Sequence, residues 1–159
     1  MDVQAIEKIK RVKYRYSRCM DTGDLKGVKD CFTEDASLCL VGGTYRFEVE
    51  GRNTIMEAFA AAVHEGIATS HVFQHPEIDL VTGETATGIW YLSDWGLDLT
   101  SKIRTQGTAI CRDRYRRVGD DWKIEHYGYT RIYEQIDELA AVPNITAHAV
   151  ADARREQIG

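Results

Sequence analysis

Between Gly66 and Ala68 the spacing of apolar residues changes from the three- and four-residue steps of helices to the two-residue alternation of strands, and the strand pattern then runs to Tyr133. Upstream, Ile6, Ile9, Val12, Tyr16, Cys19 and Met20 form the stripe of a first helix, which Asp21-Thr22-Gly23-Asp24 ends. A second, short helix follows with Asp24 as its cap and Leu25, Val28 and Phe32 as its buried stripe, and Thr33-Glu34-Asp35 breaks that pattern. Ala36 to Val41 and Thr44 to Glu50 read as strands around Gly42-Gly43. A third helix, capped by Asn53 or Thr54, turns Ile55, Met56, Phe59 and Val63 inward and stops at Gly66. Downstream come strands through His71 and Leu80, from Thr85 to Leu99, from Gly107 to Val118 and from Trp122 to Tyr133, with turns at Val81-Thr82-Gly83-Glu84 and Gly119-Asp120-Asp121.

Helices followed by a hairpin-linked meander are an α+β pattern, which predicts one curved, mainly antiparallel β-sheet, a cone, with about three helices on its concave face. A chain of 159 residues, 43% hydrophobic, can bury one core but is short for two. One domain over residues 1–159 is expected, with its core at about 4–134. The tail, 135–159, adds a short helix at Ala147 to Gln157 or runs loose, and its make-up suits a surface or subunit contact. The formal charge is -5, with Lys and Arg interleaved among the acids, which argues against nucleic acid or a membrane as partner and for a small molecule. Cys19, Cys31, Cys39 and Cys111 form no CxxC pair, and the chain shows neither a secretory leader nor an apolar run of membrane-spanning length. Reduced thiols in a cytoplasmic protein are the expectation.

The stretch from Thr69 to Leu80 carries the first functional signal. Strand alternation puts His71, Phe73 and His75 on one side, imidazoles beside aromatic surface, as a lined cavity requires. Beyond Pro76 the apolar parity shifts to Ile78 and Leu80, which predicts a bulge. Ordinary half-buried strand positions account for either histidine taken alone.

A bent sheet closed by helices leaves a pocket, and four further polar residues are candidates to enter it. Tyr16 lies on the buried stripe of the first helix, where its hydroxyl needs a partner, although core packing explains it as well. Asp21 sits at the negative end of that helix, a misplaced acid unless something nearby wants it, or else a turn-forming Asp before Thr-Gly. Asp94 shares a strand face with Trp90 and Leu92, as a paired carboxylate or as the point where the strand leaves the core. Arg131, among Tyr127, Tyr129 and Tyr133, has the parity opposite to Trp122 and Ile124, which sends it to the outer face unless a bulge intervenes.

The run from Tyr16 through Asp21 to Asp24, then Phe32-Thr-Glu-Asp35-Ala, Glu50-Gly51-Arg52, Ser70-His71, and Tyr115 with Gly119-Asp-Asp-Trp122-Lys-Ile124 together resemble the SnoaL-like families of the nuclear-transport-factor-2-like superfamily, over roughly residues 4 to 134. Members include scytalone dehydratase, hexachlorocyclohexane dehydrochlorinase, bile-acid 7α-dehydratases, polyketide cyclases and the related ketosteroid isomerases. The resemblance implies a cofactor-independent enzyme working in the cone's mouth and a homo-oligomer, trimer or dimer. It implies Asp21 and His71 as an acid–base pair, with Tyr16 and Asp94 matching a Tyr and an Asp of the bile-acid enzymes. Relatives carry an Arg near the last strand, for which both Arg131 and His126 are candidates.

Such residues suit proton transfer. A neutral His71 imidazole can take a proton from a carbon made acidic by a carbonyl, with Asp21 or Asp94 fixing its tautomer and stabilising the imidazolium. Tyr16 would hydrogen-bond the developing enolate or the leaving hydroxyl, while Phe73, His75, Trp90 and either Arg131 or His126 hold the substrate. No metal or cofactor is required. A dehydratase acting on a hydrophobic cyclic, steroid-like or polyketide-derived ketone is the leading expectation. Dehydrohalogenation, a ketosteroid-type isomerisation and a non-catalytic binding or assembly module are the alternatives.

Overall fold

The computed structural model describes residues 2–158. Four helices, α1 (Val3–Thr22), α2 (Leu25–Asp30), α3 (Arg52–Ala62) and α4 (Ala149–Ile158), accompany six strands: β1 (Phe32–Val41), β2 (Arg46–Glu50), β3 (Ile67–Leu80), β4 (Thr85–Asp98), β5 (Ile103–Val118) and β6 (Asp121–Glu138). The strands form one curved sheet in the order β2-β1-β6-β5-β4-β3. All neighbours pair antiparallel except β1 and β6, which are parallel. This is the α+β architecture expected. No helix among the described residues is long and apolar enough to cross a membrane.

Helix α1 starts where the Asp2 carboxylate accepts the Ala5 N–H at 3.0 Å. It ends at Gly23, whose φ of 77° lets the next residue, Asp24, return its N–H to the Cys19 carbonyl at 2.9 Å. Its inner face buries Ile9, Lys13, Tyr16, Cys19 and Met20. Asp24 caps α2 through Gly27 N–H at 2.8 Å, as anticipated.

Two local expectations are corrected. Phe32 and Thr33-Glu34-Asp35 belong to β1, because pairing with β6 already begins at Phe32 opposite Ile124 and skips irregularly to Ser37 opposite His126. Gly51, at φ 88° and with no side-chain cap, starts α3 in place of Asn53 or Thr54.

Three irregularities in the sheet decide which side chains face the helices. The pairing of β3 with β4 slips between Gln74 and Glu77, and His75 takes a φ of 52°, which is the bulge anticipated at Pro76. The pairing of β5 with β6 slips twice, once leaving Glu125 unopposed and once leaving Ile132 unopposed. The first slip reverses the parity of β6, so Trp122 and Ile124 before it and Tyr127, Tyr129 and Arg131 after it share the concave side. The tail folds back on its own chain: Val150 of α4 is buried beside Gly23, and His148 Nε2 lies 3.1 Å from the Ile67 carbonyl.

Candidate active site

Asp21, in the last turn of α1, meets the start of β3. Its Oδ1 lies 2.6 Å from His71 Nδ1 and accepts the Thr69 hydroxyl at 2.9 Å, and its Oδ2 accepts the His71 backbone N–H at 2.8 Å. An ionised carboxylate only accepts, so Nδ1 carries a proton, and in the neutral imidazole the lone pair lies on Nε2. Nε2 has no hydrogen-bond partner among the described residues, and the imidazole is 19% exposed. The acid at the negative pole of α1 is thus offset by three donors from one strand.

Across the sheet, His71 stands opposite Asp94, Asp94 opposite Gly107, and Gly107 opposite Glu134. Asp94 and Arg131 lie on strands separated by β5, which places only Gly107 and Ala109 beneath them. Over this low ground the guanidinium reaches Asp94 through two N–H groups, Nη2 to Oδ2 at 2.8 Å and Nη1 to Oδ1. Its Nε lies 3.0 Å from Glu134 Oε2 and 3.4 Å from the Tyr45 hydroxyl, and its Cζ sits 4.8 Å above the Tyr129 ring. Tyr45, carried on the β1–β2 hairpin, also bonds the Tyr129 hydroxyl at 2.6 Å. Burial alone would lower the Arg131 pKa, but hydrogen bonds with Asp94 and Tyr45 and the Asp94 charge outweigh it, so the guanidinium stays charged. Two of its five N–H groups are not used by these partners.

Behind the mouth the cone is filled. Tyr16, 2% exposed, packs its ring 5.3 Å from Tyr127, 5.7 Å from Phe32, 6.0 Å from Phe73 and 6.1 Å from Phe59. Tyr16 and Phe73 therefore form a packed floor, so of the two readings of Tyr16, cavity group or core packing, the burial matches core packing. Burial, with Cys111 and Asp113 nearby, pushes the Tyr16 phenol well above its ordinary pKa and keeps it protonated.

Beneath this floor lies a residue that sequence reasoning missed. Lys13 is fully buried, with Nζ 2.8 Å from Asp113 Oδ2, 3.9 Å from the Tyr127 ring centre and 4.1 Å from that of Phe73. The approach to Asp113 lacks hydrogen-bonding geometry, and Asp113 Oδ1 also goes unpartnered. Asp113 Oδ2 accepts the Tyr115 hydroxyl at 2.7 Å, which in turn accepts Trp90 Nε1–H at 2.9 Å. Lys13 was visible as a charge on the Ile9–Tyr16–Met20 stripe. Thr69 was visible by its parity with His71. Glu134 was not, because it gains the inner face only through the slip at Ile132.

Three expected substrate-binding residues lie elsewhere. His75, turned by its positive φ, is exposed with its ring edge-on to Tyr91, 6.2 Å away on the outer side. His126 also faces outward, with Nδ1 2.7 Å from the Ser37 hydroxyl, because the slip at Glu125 that turns Arg131 inward turns His126 out. Burial, then the Arg114 charge, lowers its pKa. Trp90 is sealed in the core. No three His, Cys, Asp or Glu side chains among the described residues cluster as a metal would need.

A curved sheet closed by helices is the fold shared with solved neighbours described as cystatin-like or nuclear-transport-factor-2-like. The chain belongs to the SnoaL-like domain family, which matches residues 1–128. Among solved structures, a provisionally named scytalone dehydratase from Novosphingobium aromaticivorans is similar at a TM-score of 0.74 and 18% identity, over 92% of this chain and 94% of that one. A provisionally named aromatic ring hydroxylase from the same organism gives 0.77 and 21%, over 87% and 96%. A type 2 hexachlorocyclohexane dehydrochlorinase gives 0.71 and 13%, over 91% and 94%. At these identities the likeness establishes the fold.

Proposed function

We propose that the protein is a cofactor-independent lyase, a dehydratase that removes water from a hydrophobic cyclic β-hydroxy ketone. The observation that carries this reading is the 2.6 Å contact between Asp21 and His71 Nδ1, which leaves Nε2 as the basic atom at the mouth. The neighbouring structures named for a dehydratase and a dehydrochlorinase agree with an elimination.

In the proposed reaction His71 Nε2 takes the proton from the carbon next to the ketone, and Asp21 stabilises the imidazolium that forms. The unused N–H groups of Arg131 hydrogen-bond the carbonyl oxygen as it gains enolate charge, while Asp94 and Glu134 hold the guanidinium in place. Collapse of the enolate expels the β-hydroxyl, which leaves as water with the proton that His71 returns. The products are the conjugated enone and water. Phe73 and Tyr129 provide apolar surface for the ring, and Tyr16 supports that surface from below. We further propose a homotrimer or dimer formed through the outer sheet face, where Val72 and Ile89 are exposed, to be checked by light scattering.

The test is a panel of cyclic β-hydroxy ketones followed by enone absorbance. With a turned-over substrate, His71→Ala should lose ~10²–10⁴-fold in rate with an unchanged circular dichroism spectrum. Asp21→Asn should lose nearly as much, and the double variant little more, because the pair acts as a unit. A His71→Ala protein that keeps most of the rate would end this reading.

A further inference from the structure

On the side of α1 turned away from the cone floor lies a groove of about 620 Å³, within the size range of small-molecule sites. Lys8, Arg11, Arg15 and Arg18 enter it from α1, and Lys123 faces them from β6. At 1.5 Å per residue the helical cations span about 15 Å. A chain with a net charge of -5 has here gathered five cations against two lining acids, Asp30 and Asp121. Their pairing is incomplete. Arg15 reaches Asp30 only at 3.5 Å, Lys8 Nζ donates to the Asp120 carbonyl at 2.9 Å, and Arg11, Arg18 and Lys123 make no ion pair among the described residues.

The groove also offers apolar and aromatic surface. Val12, Cys31 and Trp122 contribute to its lining, and Tyr14, 47% exposed, stands on the same helical stripe as Arg11, Arg15 and Arg18. Guanidinium forks one turn apart match neighbouring phosphates bidentately, and the Tyr14 ring, in T-shaped contact with Trp90 at 6.0 Å, matches a heterocycle with the surface it leaves exposed. A long polyanion fits less well, because the cations are confined to one groove with Asp30 and Asp121 in its lining and the rest of the molecule is acidic.

We propose that this groove is a binding site for a nucleoside diphosphate, with the phosphates on Arg11, Arg15 and Arg18 and the base on Tyr14. The site is separate from the Asp21–His71 dyad and independent of the reaction assigned to it.

Isothermal titration calorimetry of the whole chain with ADP and with inorganic pyrophosphate, at low ionic strength, tests the proposal. ADP should bind saturably and more tightly than pyrophosphate, and added salt should weaken it. The surface variant Arg11→Gln/Arg15→Gln/Arg18→Gln, with its fold checked by circular dichroism, should weaken ADP binding on the order of tenfold or more, given the strength of charge-assisted bonds. Tyr14→Ala should weaken ADP and spare pyrophosphate, and His71→Ala should change neither. The proposal is overturned by absence of saturable ADP binding, by pyrophosphate binding as tightly as ADP, or by binding that survives the triple variant or disappears in His71→Ala.

Discussion

Asp94–Arg131 and Lys13–Asp113 each join an acid to a base on the concave face, but the first is well satisfied and the second is not. Arg131 meets Asp94 twice and Glu134 and Tyr45 once each, at side-chain exposures of 8% for the guanidinium and 15% for Asp94. Lys13 and Asp113, both at 0%, share one close approach and turn their remaining valences toward aromatic faces or toward nothing. Guanidinium geometry can satisfy several acceptors at once, whereas an ammonium among rings relies on cation–π attraction and one carboxylate. The difference separates a pair that keeps some access to solvent from a pair sealed in the core. It also implies responses of different size to substitution.

The largest effect is expected from breaking the sealed pair on one side only. Lys13→Met leaves Asp113 as an uncompensated buried charge and should cost about 3–5 kcal/mol in urea unfolding. Lys13→Met with Asp113→Asn should recover most of that loss, since the amide oxygen still accepts from Tyr115. A double variant as unstable as the single would mean the aromatic cage, not the charge, governs the cost.

Next comes the mouth pair. Arg131→Met should cost less, about 1.5–3 kcal/mol, because Asp94 and Glu134 retain access to water, and under the proposed function it should remove most of the turnover. Arg131→Lys should recover stability better than turnover, because an ammonium lacks the bidentate fork. Equal losses for Lys13→Met and Arg131→Met would erase the contrast.

Gly107 sharpens it. A Cβ there would fall 2.2 Å from the Tyr133 carbonyl oxygen, where the slip at Ile132 brings the β6 backbone close. Gly107→Ala should destabilise by about 1–3 kcal/mol and displace Arg131 from Asp94 while leaving the Asp21–His71 contact in place. A crystal structure of the variant reads both outcomes.

The smallest effect is a pH slope from His126, which belongs to neither pair. Its folded pKa is lowered by burial and by Arg114, so its contribution to stability is present above the ordinary value of about 6.5 and is lost as the pH falls through the depressed value. His126→Gln should flatten the dependence of the unfolding midpoint over that window. An unchanged slope would assign it to other groups.

Asp21 and His71 were each legible because each carried a local anomaly, an acid at a helix C-terminus and an imidazole in line with Phe73, but their pairing with one another was implied only by the family resemblance, the residues themselves leaving Asp94 as an equal partner. The bulge beside Pro76 was likewise legible from a local anomaly. The choice between Arg131 and His126 was not, since it rests on Glu125 standing unopposed. Nothing in the composition of Lys123-Ile124-Glu125-His126 announces that slip, which coincides with the irregular stretch of the β1–β6 pairing between Ile124 and His126. His75 followed the right parity and still turned outward, because a positive φ overrides alternation. Phe32 satisfied a helical stripe and a strand position equally, and tertiary pairing with Ile124 decided between them.

The strand that comes last in the chain occupies the middle of the sheet, between β1 and β5. As the polypeptide emerges, β2–β1 and β3–β4–β5 can form as two fragments, each with unpaired edges, and only the arrival of residues 121–138 closes them. Asp21 and His71 can meet before that event, whereas Asp94 must wait for Arg131. A chain interrupted ahead of β6 would therefore carry the Asp21–His71 pair on an unclosed, aggregation-prone surface, and the Asp94–Arg131 pair is completed only in one late step of synthesis.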